Sequence, residues 1–231
     1  MGDNVITDRL PGKQGRLLLA FLAYNRNSHD RQEIINAIWS ANPPANPAGD
    51  LAALLSKLKK ALGKHYFHTK VVVRCDFPPD TWIDTEIAKV NVHKAESSLS
   101  QSNWQDTWVA AQVSSHILAR TFLGGPRNDW ADLIRIDLES WRSRALSCLA
   151  EAGLMLGGSE LFTAERAARR LIEMNPYREN SWRLLMRILT AAGNKAEAIW
   201  QFKKLEKMLS DELGVTPSQE TVGLSKDISK S

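Results

Sequence analysis

The sequence predicts a mainly α-helical chain interrupted by one small β hairpin, and three observations carry that prediction. Leu51, Leu54, Leu55, Leu58 and Leu62 recur at i, i+3, i+4, i+7 and i+11, which is one helical stripe. From Thr85 onward apolar residues keep a helical period through segment after segment, each closed by Gly or Pro. Between these regions, Tyr66-Phe67-His68 and Val71-Val72-Val73-Arg74-Cys75 are β-prone and fall at hairpin spacing across Thr69-Lys70.

Composition narrows the field. The 231 residues are 43% apolar and 24% charged, an ordinary globular profile with enough apolar mass for one large or two small domains. No stretch is apolar over the roughly 18 residues a membrane span needs, and no basic-then-apolar leader opens the chain. A cytoplasmic protein without membrane attachment is expected. Cys75 and Cys148 stand alone, and His29, His65, His68, His93 and His116 lie in no ligand spacing, so neither a disulfide nor a metal is expected. No phosphate loop, zinc-protease pair, nucleophile elbow or dinucleotide fingerprint occurs, and neither an enzyme nor a cofactor is predicted.

Charge is unevenly placed. Residues 1–80 carry 11 Lys and Arg against 7 Asp and Glu, and residues 81–231 carry 19 of each, so the whole excess of +4 lies in the first third. Residues 51–75 hold Lys57, Lys59, Lys60, Lys64, Lys70 and Arg74 and no acid. A basic block inside a folded pattern points to a polyanion, and double-stranded DNA is the partner expected. At about 100° per residue, Ala53, Ser56, Lys57, Lys60 and Lys64 fall opposite the leucines. The helix therefore has an apolar side for a core and an outer side, small at its start and cationic at its end. Insertion into a DNA groove is one reading of that face, and a solvated surface is the other.

In chain order, Asn4-Val5-Ile6-Thr7 is a candidate strand fragment and Pro11-Gly12 a turn. Lys13 to Tyr24 reads as a helix with Leu17, Leu18, Phe21 and Leu22 inward. Asn25-Arg26-Asn27 breaks it, and Ser28 or Asp30 caps the next helix, striped by Ile34, Ile35, Ile38 and Trp39. The Pro-rich connector at residues 42–47 leads to the leucine helix, expected over 50–62 with Asp50 as its cap and Gly63 as its stop. Three helices followed by a small hairpin are the winged helix-turn-helix arrangement, placed at residues 1–80. Phe77-Pro78-Pro79-Asp80 ends it, and Trp82-Ile83 is expected to pack across the junction.

Residues 81–231 read as all-α. The expected stripes are Ile87, Val90 and Val92, then Trp104, Trp108, Val113 and Leu118, then a long helix over 129–155 carrying Ile134, Leu138, Trp141, Ala145, Cys148, Leu149 and Ala152. Helices at 160–174, 179–192 and 195–213 follow, with a short one after Pro217-Ser218. Ala164-Glu165 and Ala196-Glu197 each follow a Gly-containing turn, 32 residues apart. A period near 34 with Ala at the helix crossing resembles the tetratricopeptide repeat. The eight tryptophans fall mostly in the stripes and are expected in the core rather than stacked on bases. A solenoid end must be capped or paired, and a homodimer through residues 81–231 is expected.

Together these pieces resemble the antibiotic regulatory protein family, which joins an OmpR-type winged helix to a bacterial transcriptional activator domain. The first half of the likeness is Leu10-Pro11-Gly12-Lys13-Gln14-Gly15-Arg16-Leu17-Leu18-Leu19-Ala20, Ala37-Ile38-Trp39, Pro43-Pro44 and the run from Leu54 to Gly63. The second is Asn175-Pro176-Tyr177-Arg178-Glu179, Leu184-Leu185-Met186, Gly193-Asn194-Lys195-Ala196-Glu197-Ala198 and the run from Asp211 to Ser218. The resemblance implies a transcription regulator with the lysine helix in the major groove, the hairpin as wing and the repeats as a contact surface. The chain departs from the pattern in its abbreviated N-terminal sheet, its short wing and its lysines where the family often carries arginines.

Ala53, Ser56, Lys57, Lys59, Lys60 and Lys64 on the helix, Lys70 and Arg74 on the wing, and Lys13 and Arg16 at the first helix are the candidate DNA contacts. Lys57, Lys60 and Lys64 read as phosphate contacts, since positioning on the backbone needs only charge and reach. Ala53 can read as a thymine-methyl contact and Ser56 as a donor to base or phosphate, though a plain surface role is the favoured reading of each. The first helix start, at Lys13, Gln14 and Arg16, is a further place for a phosphate. The function expected is a DNA-binding transcription regulator that meets RNA polymerase or another protein through its repeats. A protein-interaction module from a larger signalling protein, with weak or lost DNA binding, is the alternative.

Overall fold

The computed structural model describes residues 10–40, 42–125 and 127–230, so the strand fragment expected at residues 4–7 lies outside the described residues. The fold is mainly helical, with one two-stranded sheet among the described residues. Two compact units are formed, one from Met1–Thr85 with Thr121–Leu138 and the other from Glu86–Arg120 with Glu139–Ser231.

The first unit opens with α1 (Gly12–Tyr24), α2 (Arg31–Trp39) and α3 (Pro47–Leu62). Asp30, one of the two caps expected for α2, accepts the Glu33 N–H at 2.7 Å. The leucine helix starts a turn earlier than the sequence suggested. Pro47 lacks an N–H that would go unpaired and presets the helical φ, so the helix begins there, and the Asn46 side chain rather than Asp50 accepts the Gly49 N–H at 3.0 Å. Asp50 instead places its charge in the first turn. Gly63, at φ +115°, ends α3 in a conformation L side chains resist.

The hairpin is shorter than expected. β1 (Phe67–His68) pairs antiparallel with β2 (Arg74–Cys75) in the register Phe67 to Cys75 and His68 to Arg74. Val73 leaves the ladder and exchanges both backbone hydrogen bonds with His29, at 2.8 and 2.9 Å. Burial of Val73 against the helices turns its backbone away from β1, and Val71 is left 88% exposed at the tip.

Leu18, Leu22, Ile34, Leu51, Leu58 and Val73 are fully buried at the centre of this unit. A segment distant in sequence completes it. Trp130, near the start of α6 (Asp129–Leu156), packs on Phe21 with ring centroids 5.2 Å apart. Tyr24 donates to Asp137 at 2.7 Å. Asn128 caps α6 by accepting the Ala131 N–H at 2.9 Å, while its amide donates to the Ala37 and Ile38 carbonyls at the end of α2. One side chain thus satisfies exposed groups of two helix ends.

The second unit takes α4 (Asp84–Ser100) from Glu86 on, α5 (Trp104–Leu118), the rest of α6, then α7 (Glu160–Met174), α8 (Glu179–Ala191), α9 (Lys195–Leu213) and α10 (Gln219–Lys230), each of the last three packed on the one before. Small residues set the spacing. A Cβ on Gly153 would lie 2.6 Å from a Trp108 ring carbon and 2.7 Å from the Ala164 Cβ, so only glycine lets α6 approach there. The buried alanines of the repeat are Ala164 and Ala198, 34 residues apart; Ala196, the one expected, is exposed. Val90 and Val113, expected inward, are 66% and 40% exposed. Ala88, Val92, Ala95, Ala110 and Ala111 take the inner positions, and Ser114 reaches the Ala88 carbonyl at 3.0 Å across the α4–α5 contact. Trp39, Trp108 and Trp182 are buried, whereas Trp82 and Trp200 are 85% and 57% exposed.

At the end of the chain, Glu179 receives the Ser218 N–H at 3.0 Å, the Ser218 hydroxyl at 2.7 Å and the Thr221 hydroxyl at 2.5 Å, which ties the first turn of α8 to the start of α10. Partial burial acts to raise this carboxyl, and the hydrogen bonds from Thr221 and Ser218 together with Arg183 outweigh it, so it is held below its ordinary value. A carboxyl lowered by folding stabilises the fold above its unfolded value of 4.5, and that contribution disappears as pH falls through the lowered folded value. Glu179→Gln should therefore lower the melting midpoint at neutral pH, with the gap to wild type closing in acid, as a pH series of thermal melts would record. In the first unit, Leu58→Ala should cost about 2–5 kcal/mol in urea unfolding.

Candidate nucleic-acid interface

The leucine stripe decides which side of α3 meets solvent. With Leu51, Leu54, Leu55 and Leu58 buried, Ala53, Ser56, Lys57 and Lys60 are exposed, and Lys64 follows, exposed, in the 3-10 turn at Lys64–Tyr66. Among the described residues no carboxylate pairs with Lys57, Lys60, Lys64 or Lys70. Their charge is open to a partner. The N-terminal end of the face is small (Ala48, Gly49, Ala52, Ala53), with Asp50 as its acid.

The remaining candidates are engaged differently. Lys59 is half-buried and donates from Nζ to the Thr69 hydroxyl, while Arg31 of α2 donates to the Thr69 carbonyl at 2.8 Å. Two cations on two helices thus hold the start of the wing tip, and Lys59 acts as a strut. Arg74 meets Asp76 through two nitrogens, at 2.6 and 2.8 Å, and His68 meets the same carboxylate at 2.8 Å. The hydrogen bond from Arg74 chiefly holds Asp76 below the usual carboxylate range, against desolvation, with the charges of Arg74 and His68 adding to it. The acid-free run ends at residue 75, and Asp76, one residue beyond, offsets Arg74. Lys70 is left as the unpaired cation of the wing.

Lys13 and Arg16 are exposed and line a cavity with Arg127; no residue of α3 lines it. Arg31 and Arg127 lie outside the basic block and carry no periodic or compositional signal of their own; tertiary contact alone brings them to these positions. Burial pushes the Cys75 and Cys148 thiols up to about 12, so both stay protonated at neutral pH. Among the described residues no cluster of three His, Cys, Asp or Glu is placed to hold a metal ion, and no helix is long and apolar enough to cross a membrane.

Three helices with a short hairpin, joined in one chain to a series of stacked helices, define a fold of the winged-helix and tetratricopeptide-like kind. The chain belongs to the bacterial transcriptional activator domain family, whose profile matches residues 83–229. This bears out the resemblance to the antibiotic regulatory proteins. The chain is 26% identical to the regulatory protein AfsR of Streptomyces griseus, over 98% of its own length and 23% of that protein's. It is also 26% identical to the transcriptional regulatory protein EmbR of Mycobacterium tuberculosis, over 92% of its length and 56% of that protein's. The chain thus spans just under a quarter of the first relative's length and somewhat over half of the second's. A solved structure of Mycobacterium tuberculosis EmbR in complex with a low-affinity phosphopeptide superposes with a TM-score of 0.78 at 18% identity, over 95% of this chain and 60% of that one, a likeness of fold.

The two lysines at successive positions should separate in their effects. Lys59→Met should destabilise the wing by about 1 kcal/mol through loss of the Thr69 hydrogen bond, seen as faster amide hydrogen exchange around Thr69–Val73. Lys60→Ala should leave those amides unchanged.

Proposed function

We propose that this chain acts as the DNA-binding and partner-contacting part of a transcription regulator, with residues 1–80 as the winged helix-turn-helix and 81–231 as the activator domain. One observation supports the reading above others: the unpaired Lys57 and Lys60 on the face of α3 opposite its buried leucine stripe, followed by the unpaired, exposed Lys64 in the next turn. In this reading α3 enters the major groove, its lysines meet phosphates, and Lys70 adds a backbone contact from the wing. Lysines bring charge without a bidentate fork, and the leading half of the face offers Ala53 and Ser56, so affinity rests on the backbone more than on base edges. The second unit provides the surface for RNA polymerase or another protein, and for pairing of two copies.

Salt titration tests the proposal. Each lysine on a phosphate releases about one counterion and steepens the log-log salt dependence by roughly 0.9. Fluorescence anisotropy with random and promoter-derived duplexes should show that Lys60→Ala weakens binding alike on all sequences and flattens the slope by about one unit. Thermal stability should barely change, since exposed charges contribute little. Absence of duplex affinity at low salt would sink the DNA reading and leave a protein-interaction module. Binding with a salt slope indifferent to Lys57, Lys60 and Lys64 would show that another element contacts DNA.

A further inference from the structure

The first unit contains a cavity of about 300 Å³ whose lining residues all belong to that unit. Lys13 and Arg16 enter it from the start of α1, and Arg127 from the segment before α6. These three side chains are exposed, none has a carboxylate partner among the described residues, and no acid lines the cavity. The opposite character is also present. Leu17, Ile38, Leu123 and Ala131 give the cavity an apolar wall. Arg135 is not part of the free charge, because it donates to the Phe122 and Leu123 carbonyls at 2.9 and 2.6 Å and pairs with Asp132, which fixes the loop that forms the rim.

We propose that this cavity binds a small organic phosphate, its phosphoryl group held by Lys13, Arg16 and Arg127 and its apolar body laid against Leu17, Ile38 and Leu123. Three uncompensated cations converging on one space repel one another, and a doubly charged group relieves that repulsion better than a single carboxylate. Planar guanidinium forks match phosphate oxygens, and the lysine supplies a point charge. The volume falls at the lower end for small-molecule sites, and an apolar wall has no use for a bare ion. A duplex backbone offers phosphates but no apolar body, and the α3 lysines lie outside the lining. The assignment therefore stands or falls separately from the DNA reading.

Isothermal titration calorimetry of the full chain with phenyl phosphate, inorganic phosphate and phenol tests it. Phenyl phosphate should bind at least about tenfold more tightly than inorganic phosphate, because its ring leaves water, and phenol should give no heat. Arg16→Ala and Arg127→Ala should each weaken phenyl phosphate about tenfold or more, with circular dichroism and melting midpoint of the free protein unchanged. No heat from phenyl phosphate at millimolar concentration would overturn the proposal. So would equal affinity for inorganic phosphate, or binding untouched in both variants. Loss of duplex affinity in Arg127→Ala as large as in Lys60→Ala, without loss of phenyl phosphate binding, would overturn it too, by assigning these cations to a DNA backbone.

Discussion

Burial of the leucine stripe on α3 is the constraint on which the first unit depends. Leu51 and Leu58 are fully buried, and Leu54 and Leu55 nearly so. Each such side chain contributes about 1.5–3 kcal/mol by leaving water, so rotating the helix about its axis is prohibitive. That single fact selects the solvent face. Ala53, Ser56, Lys57 and Lys60 are exposed because the leucines cannot be, and no interaction of their own holds them there. The same core takes in Val73 at the foot of the wing, and His29 supplies both of its backbone hydrogen bonds, so burial there costs no pairing.

Charge in this unit is sorted by geometry rather than by count. Six cations fall between residues 51 and 75. Folding spends one, Lys59, on Thr69 and offsets another, Arg74, with Asp76. Four lysines remain free for a partner, while Lys13, Arg16 and Arg127 gather elsewhere around a cavity. The unit thus carries two separate cationic features of different chemistry, an open row of lysines from the basic stretch and a partly apolar pocket whose cations come from outside it.

Small residues govern the second unit. Gly153 against Trp108 and Ala164, and Ser114 against the Ala88 carbonyl, are close approaches that any larger side chain would prevent. Interiors are packed as densely as organic crystals, so removing bulk at a crossing lets helices close until backbone and Cβ atoms meet. Large residues are then displaced to the flanks. Trp182 fills a groove with Leu205 and Leu209, whereas Trp200 is left on the surface.

The sequence by itself determined the helical class, the leucine stripe and the lysine face opposite it, and the Gly63 stop, and narrowed the α2 cap to Ser28 or Asp30, because these are local and periodic signals that follow from 3.6 residues per turn and from the chemistry of helix ends. It also carried the family likeness in its second half. Periodicity could not say which of two apolar rows faces inward where alanines compete with valines, as at Val90 and Val113. It could not see that Val73 would pair with His29, or that Asn128 and Trp130 would complete a unit that begins more than a hundred residues earlier. Those outcomes are contacts between residues far apart in sequence or at a single crossing, and only packing in three dimensions decides them.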